Sequence, residues 1–79
     1  MKINLVLYAS LTRFVAGSSA GEVMNLDIPG DSTVHDVMVK MGIPSDLKLI
    51  LLVNGRSVSK TQRLNDDDRL AAFPTIAGG

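Results

Sequence analysis

The best helix in this chain is short and carries its own start and stop, so the rest of the fold must be arranged around a single helix. Ser32 or Thr33 can accept the free backbone N–H groups of a helix start, and Asp36, three residues after Thr33, completes a shortened capping box. Val34, Val37, Met38 and Met41 then recur at i, i+3, i+4 and i+7 and give one apolar stripe. Gly42 suits the left-handed residue beyond a helix end, Ile43 the hydrophobic contact that follows, and Pro44 prevents continuation. The pattern predicts a helix of about three turns with one face to bury.

Strand signals surround it. Ile3, Leu5 and Leu7 alternate with Asn4, Val6 and Tyr8, which predicts a first strand over residues 2–8 with one fully apolar face. Ser10 is placed to cap a short helical turn carrying Leu11, Phe14 and Val15, and residues 17–21 read as a loop. Residues 22–28 put Met24, Leu26 and Ile28 on one side, as a half-buried second strand does, and Pro29-Gly30 turns the chain. The run Leu49 to Val53 reads as an interior strand covered on both faces, and Asn54-Gly55 is the strongest short hairpin signal, with Arg56 to Ser59 returning. Lys60 to Asn65 is a polar connector anchored by Leu64, and Asp66-Asp67-Asp68 marks a turn before a closing strand from Arg69 to Thr75. Strand, strand, helix and three strands make an α+β pattern, one mixed sheet over one helix.

Composition removes several function classes. Seventy-nine residues suffice for one two-layer core and leave no room for a separate substrate domain. No cysteine is present, which excludes disulfides, a thiolate metal site and a catalytic thiol. Eight basic residues balance eight acidic ones and only Tyr8, Phe14 and Phe73 are aromatic, a poor basis for binding nucleic acid. No apolar run approaches the roughly 18 residues a membrane span needs. Lys2, the apolar run after it and Ala16-Gly17 superficially resemble a secretion signal, but the run is short and broken by Asn4, and cleavage would remove a core strand; a cytoplasmic location is expected. The three consecutive aspartates lack calcium-loop spacing and a partnering Glu, so they read as a solvated turn and no metal site is expected. His35, without a nucleophile or second ligand nearby in sequence, reads as a solvated helix residue.

The sequence closes on Ala77-Gly78-Gly79, directly after the strand-like run ending in Phe73 and Pro74. At ordinary glycine usage of about 7 %, two terminal glycines arise by chance in roughly half a per cent of chains. A frayed tail or a cloning scar usually brings a polar or tag-like sequence. Here an apolar strand runs straight into the glycines, so the carboxylate of Gly79 reads as a chemical handle. Residues 1–74 are expected to form the folded domain and residues 75–79 a flexible tail, mobile from Ile76 onward.

The Tyr8-Ala9-Ser10-Leu11 strand end, the Asn54-Gly55 hairpin and the closing Phe73-Pro74-Thr75-Ile76-Ala77-Gly78-Gly79 together resemble the ubiquitin-like sulfur carriers of the MoaD/ThiS family over the whole chain. The ending is most similar to the small subunit of molybdopterin synthase, with Thr75 in place of a second proline and Asp67 in place of a turn glycine; the Val53-Asn54-Gly55-Arg56 hairpin looks more like the thiamin-type carriers. The resemblance implies a β-grasp fold, a mixed sheet of four to five strands packed on one main helix. It implies a sulfur carrier whose Gly79 is adenylated and converted to a thiocarboxylate, serving molybdopterin or tungstopterin synthesis or the thiazole of thiamin. The alternative is a ubiquitin-like modifier joined through Gly79 to lysines of other proteins. The chain itself would be a co-substrate or small subunit without a complete active site, binding no cofactor, while an adenylating partner of the MoeB/ThiF kind uses ATP. A MoaE-like large subunit or a thiazole synthase would accept the sulfur. Glycines at 78 and 79 would admit the terminus to a narrow partner site, with Ala77, Ile76, Thr75, Pro74, Phe73 and Tyr8 as partner-binding residues. The first and last strands of a β-grasp sheet run parallel side by side, so Tyr8 and Phe73 should meet at one edge.

Overall fold

A computed structural model describes residues 1–15, 21–44 and 46–75. Five strands form one mixed sheet: β1 (Lys2–Leu7), β2 (Val23–Asp27), β3 (Leu49–Val53), β4 (Arg56–Ser57) and β5 (Arg69–Pro74). Their spatial order is β2-β1-β5-β3-β4, with β1 and β5 parallel in the centre and every other pairing antiparallel. A 3₁₀ turn over Ala9–Phe14 follows β1, and α1 (Val34–Lys40) crosses one face of the sheet. The predicted α+β architecture, a five-stranded sheet on one helix, is the one observed.

Alternation along the strands decides what the helix covers. Ile3, Leu5 and Leu7 of β1, Leu70 and Ala72 of β5, and Leu51 and Val53 of β3 point to one side and meet Val34, Val37 and Met38 of α1 in a single buried cluster. Leu11, Ile28, Ile43 and Leu64, each from a connector, seal its margins. Full burial of a side chain of this size is worth about 1.5–3 kcal/mol, so the connectors add as much to the core as the helix does.

The helix starts and stops where the sequence predicts, though it makes about two turns and not three, because only the seven residues Val34–Lys40 lie between its caps. Thr33 Oγ1 accepts the Asp36 N–H at 3.3 Å and Asp36 Oδ2 accepts the Thr33 N–H at 2.9 Å. At the other end Gly42 takes φ +75°, its N–H donates to Val39 O and the Ile43 N–H donates to Met38 O, a Schellman closure with Ile43 buried as its apolar contact.

Two expectations need correction. Leu49–Val53 is not covered on both faces: Ile50 is 48 % exposed and Leu52 half-buried, because one helix covers only one side of a five-stranded sheet. Ser10 does not cap the turn after β1. Tyr8 occupies the cap position without a side-chain bond, and the turn is held by the Leu11 N–H to Tyr8 O and by Thr12 Oγ1 to Ala9 O.

Candidate functional site: the end of the sheet where the chain leaves β5

The parallel pairing of β1 with β5 brings their C-terminal ends together, as predicted. The Tyr8 N–H donates to Ala72 O at 3.1 Å, and the Tyr8 and Phe73 rings stack with centroids 4.3 Å apart and planes 6° from parallel. Neither ring belongs to the buried core; both are half-buried on the face opposite α1. The backbone beneath them is specialised. Gly21 donates its N–H to Leu7 O with φ +79°, a dihedral that calls for glycine, and its Cα lies against the Tyr8 ring closely enough that a Cβ would touch Cε1 at 3.4 Å. Ala9 immediately after Tyr8 holds φ +51°, a conformation that costs a non-glycine residue about 1–2 kcal/mol.

The same face extends this pair into an apolar strip that sequence reasoning missed. Strand register aligns Val23, Val6, Ala71 and Leu52 in one cross-strand row, and Phe73 with Ile50 beside Tyr8 in the next. Val23 and Ile50 are 46 % and 48 % exposed, large apolar side chains left open to solvent, whereas Val6 between its neighbours is fully enclosed. The available signal was the strand register: once β1, β5 and β3 are laid side by side, alternation puts Val6, Ala71, Phe73, Ile50 and Leu52 on one surface.

Pro74 pairs with Leu49, and both the N–H and the hydroxyl of Thr75 reach Lys48 O, at 3.3 and 3.4 Å. Hydrogen bonding to the sheet therefore continues through Thr75. Ile76, Ala77, Gly78 and Gly79, the predicted reactive end and its mobility, lie outside the described residues, as does most of the predicted 17–21 loop.

The remaining candidates stand away from this end. His35 is exposed on α1 and its N–H donates to Lys60 O. Asp36 is held below the usual carboxylate range, first by the hydrogen bond from the Thr33 backbone, then by the Thr33 hydroxyl, with a smaller contribution from His35. The aspartate triplet is only partly a solvated turn. Asp68 is buried and both its oxygens accept, from Asn54 Nδ2 at 2.8 Å and from the Asn65 N–H at 2.7 Å. Asp67 takes φ +67° at the position where the resembling family has glycine. Among the described residues no group of three or more His, Asp or Glu side chains is placed to hold a metal ion, and no helix is long and apolar enough to cross a membrane.

A family profile described as Mut7-C ubiquitin matches residues 1–78. A comparison with curated proteins gave no match. Among solved structures, the chain is similar to SAMP1 from Haloferax volcanii, at 26 % identity over 100 % of both chains with a TM-score of 0.72. A second structure, described as H. volcanii small archaeal modifier protein 1, matches at 25 % identity over 95 % of this chain and 98 % of that one, also with a TM-score of 0.72. A putative molybdopterin converting factor subunit 1 from Pyrococcus furiosus has the same fold, with a TM-score of 0.73 over 96 % of this chain and 99 % of that one, at 19 % identity.

Proposed function

The chain belongs to the Mut7-C ubiquitin family, and from that premise we propose that it is a ubiquitin-like sulfur carrier whose reactive group is the carboxylate of Gly79. The observation that carries this reading is the apolar strip of Tyr8, Phe73, Ile50 and Val23 at the end of the sheet from which residues 76–79 depart. A carboxylate is a poor electrophile, so activation must come from outside. An adenylating enzyme of the ubiquitin-activating type joins a Gly79 oxygen to the α-phosphate of ATP and releases pyrophosphate. A sulfur nucleophile then attacks the acyl carbon and AMP leaves, so one oxygen of the terminus is exchanged for one sulfur. The chain binds no cofactor for this; ATP belongs to the partner. The resulting thiocarboxylate is a nucleophile able to pass its sulfur to a pterin or thiazole precursor in the cytoplasm. The P. furiosus protein described as a putative molybdopterin converting factor subunit 1 has the same fold, which is compatible with the pterin branch.

The name of one neighbour, small archaeal modifier protein 1, supports a second reading, in which the same acyl adenylate is captured by lysine amines of other proteins. The two differ in product. Incubation with an adenylating enzyme, ATP and a sulfur source should add the mass difference of sulfur for oxygen to the C-terminal peptide, and deleting Gly79 should abolish it. If the deletion leaves cofactor synthesis in cells unchanged, the carrier reading fails. If it removes only high-mass conjugates, the modifier reading replaces it.

A further inference from the structure

On the helix side of the same sheet end lies a surface groove of about 310 Å³. Its apolar lining comes from Leu11, which is buried, and from half-buried Leu47, Leu49 and Pro74, while Arg13 and Lys48 line it as exposed cations. Arg13 stands over the Phe14 ring, 5.1 Å from its centroid, which directs the guanidinium without neutralising it. Among the described residues no carboxylate pairs with either cation, although Asp46 is only two positions from Lys48. Thr75, whose N–H and hydroxyl both reach Lys48 O, forms part of the same wall, so the groove borders the root of residues 76–79.

We propose that this groove seats an acidic, apolar-interrupted segment of the protein that receives the C-terminus, a second contact separate from the Tyr8–Phe73 strip. This rests on the reading that a partner handles residues 76–79. Charge complementarity selects the occupant. Two cations that no carboxylate among the described residues pairs, beside an apolar lining, favour an occupant that carries carboxylates next to Leu-like side chains. The chain's own acidic turn is not available to fill it: Asp66 accepts the Lys2 N–H at the opposite end of the sheet, where β1 and β5 begin. Two exposed ion pairs together change affinity by a factor of about 2 to 30, so the groove tunes selection of the partner.

The test is an NMR titration of the ¹⁵N-labelled full chain with the peptide acetyl-Asp-Leu-Glu-Leu-Asp-amide, and with its Asn/Gln counterpart. The acidic peptide should shift the amides of Leu11, Arg13, Leu47, Lys48 and Thr75, and the neutral peptide should bind several-fold more weakly. Arg13→Glu/Lys48→Glu should lose the response while melting near the parent temperature; Arg13→Gln/Lys48→Gln serves if charge reversal disturbs folding. Shifts confined to the open sheet face, equal binding of both peptides, or an unaltered response of the variants would overturn the proposal. Salt-sensitive shifts on concentrating the chain without peptide would instead assign the groove to a second copy. None of these readouts needs sulfur transfer, so failure of the carrier reading leaves them distinct.

Discussion

Asn54 and Asp68 show how much one polar pair can hold at the end of the sheet remote from residue 75. Asn54 closes the β3–β4 hairpin with φ +52°, its N–H donates to Arg69 O, its Oδ1 accepts the Arg69 N–H, and its Nδ2 donates to Asp68. The Asp68 backbone carbonyl in turn accepts the Asn4 N–H. One side chain thus ties the hairpin to β5, and the next residue back ties the turn to β1. Asp68→Ala leaves the Asn54 amide and the Asn65 N–H without their acceptor and should cost about 2–3 kcal/mol, read as a lower urea midpoint with an unchanged m-value; a loss under about 0.5 kcal/mol would refute the role. The sequence announces the Asn-Gly turn but not this lock, because an aspartate in an acidic triplet looks solvated until the fold sets its neighbours. Asp36 offers a pH test. Its folded-state pKa is lowered from 3.8, chiefly by the Thr33 backbone N–H, so its contribution is present above the unfolded value and disappears as pH falls through the folded one. The stability difference between the parent and Asp36→Asn should therefore be constant near neutrality and change only below about pH 4; a change centred between pH 5 and 7 would rule the capping carboxylate out as its source.

At the scale of elements, β3 divides its side chains between two tasks. Leu51 and Val53 face α1 and are buried, whereas Ile50 is open on the other side. Leu51→Ala should cost about 2–4 kcal/mol and Val37→Ala on the facing helix somewhat less, whereas Ile50→Ala should cost well under 1 kcal/mol. Thermal unfolding of the three variants checks the ordering, and equal losses for Leu51 and Ile50 would contradict the one-sided burial. The run Leu49 to Val53 conceals this difference because five consecutive apolar residues look alike whether two layers or one cover them. The helix end was legible at Gly42 and its start to within the pair Ser32 and Thr33, since capping box and Schellman glycine are local chemistry. Its two turns are too short to stand alone, and its stability comes from Val34, Val37 and Met38 in the core. The meeting of Tyr8 and Phe73 was legible only through the resemblance, which supplied the parallel pairing of first and last strands that no local pattern contains.

Across the whole molecule the two faces of the sheet differ: one is packed against α1 and its hairpin end is tied by Asn54 and Asp68, while the other exposes Val23 and Ile50. Fixing a backbone costs about 1–2 kcal/mol per residue, so a partner that threads residues 76–79 requires up to roughly 8 kcal/mol from docking elsewhere. At about 25 cal/mol per Å² that corresponds to ~320 Å² of apolar surface, within the size of functional patches on small proteins. The strip formed by Tyr8, Phe73, Ile50 and Val23 is suited to supply it. Val23 and Ile50 are exposed and β-branched, so Val23→Thr/Ile50→Thr keeps strand preference while removing apolar area. The double variant should melt within a few degrees of the parent. If the strip carries the docking, adenylation of its terminus should fall about tenfold or more in kcat/KM, the equivalent of roughly 1.4 kcal/mol. Gly78→Val should reduce the same rate by blocking the partner's channel, with melting again unaffected. If strip and tail touch different parts of the partner, the two defects should add in free energy. An unchanged kcat/KM for the double Thr variant, with Gly78→Val still inactive, would show that the tail alone is recognised and that the open face serves something else.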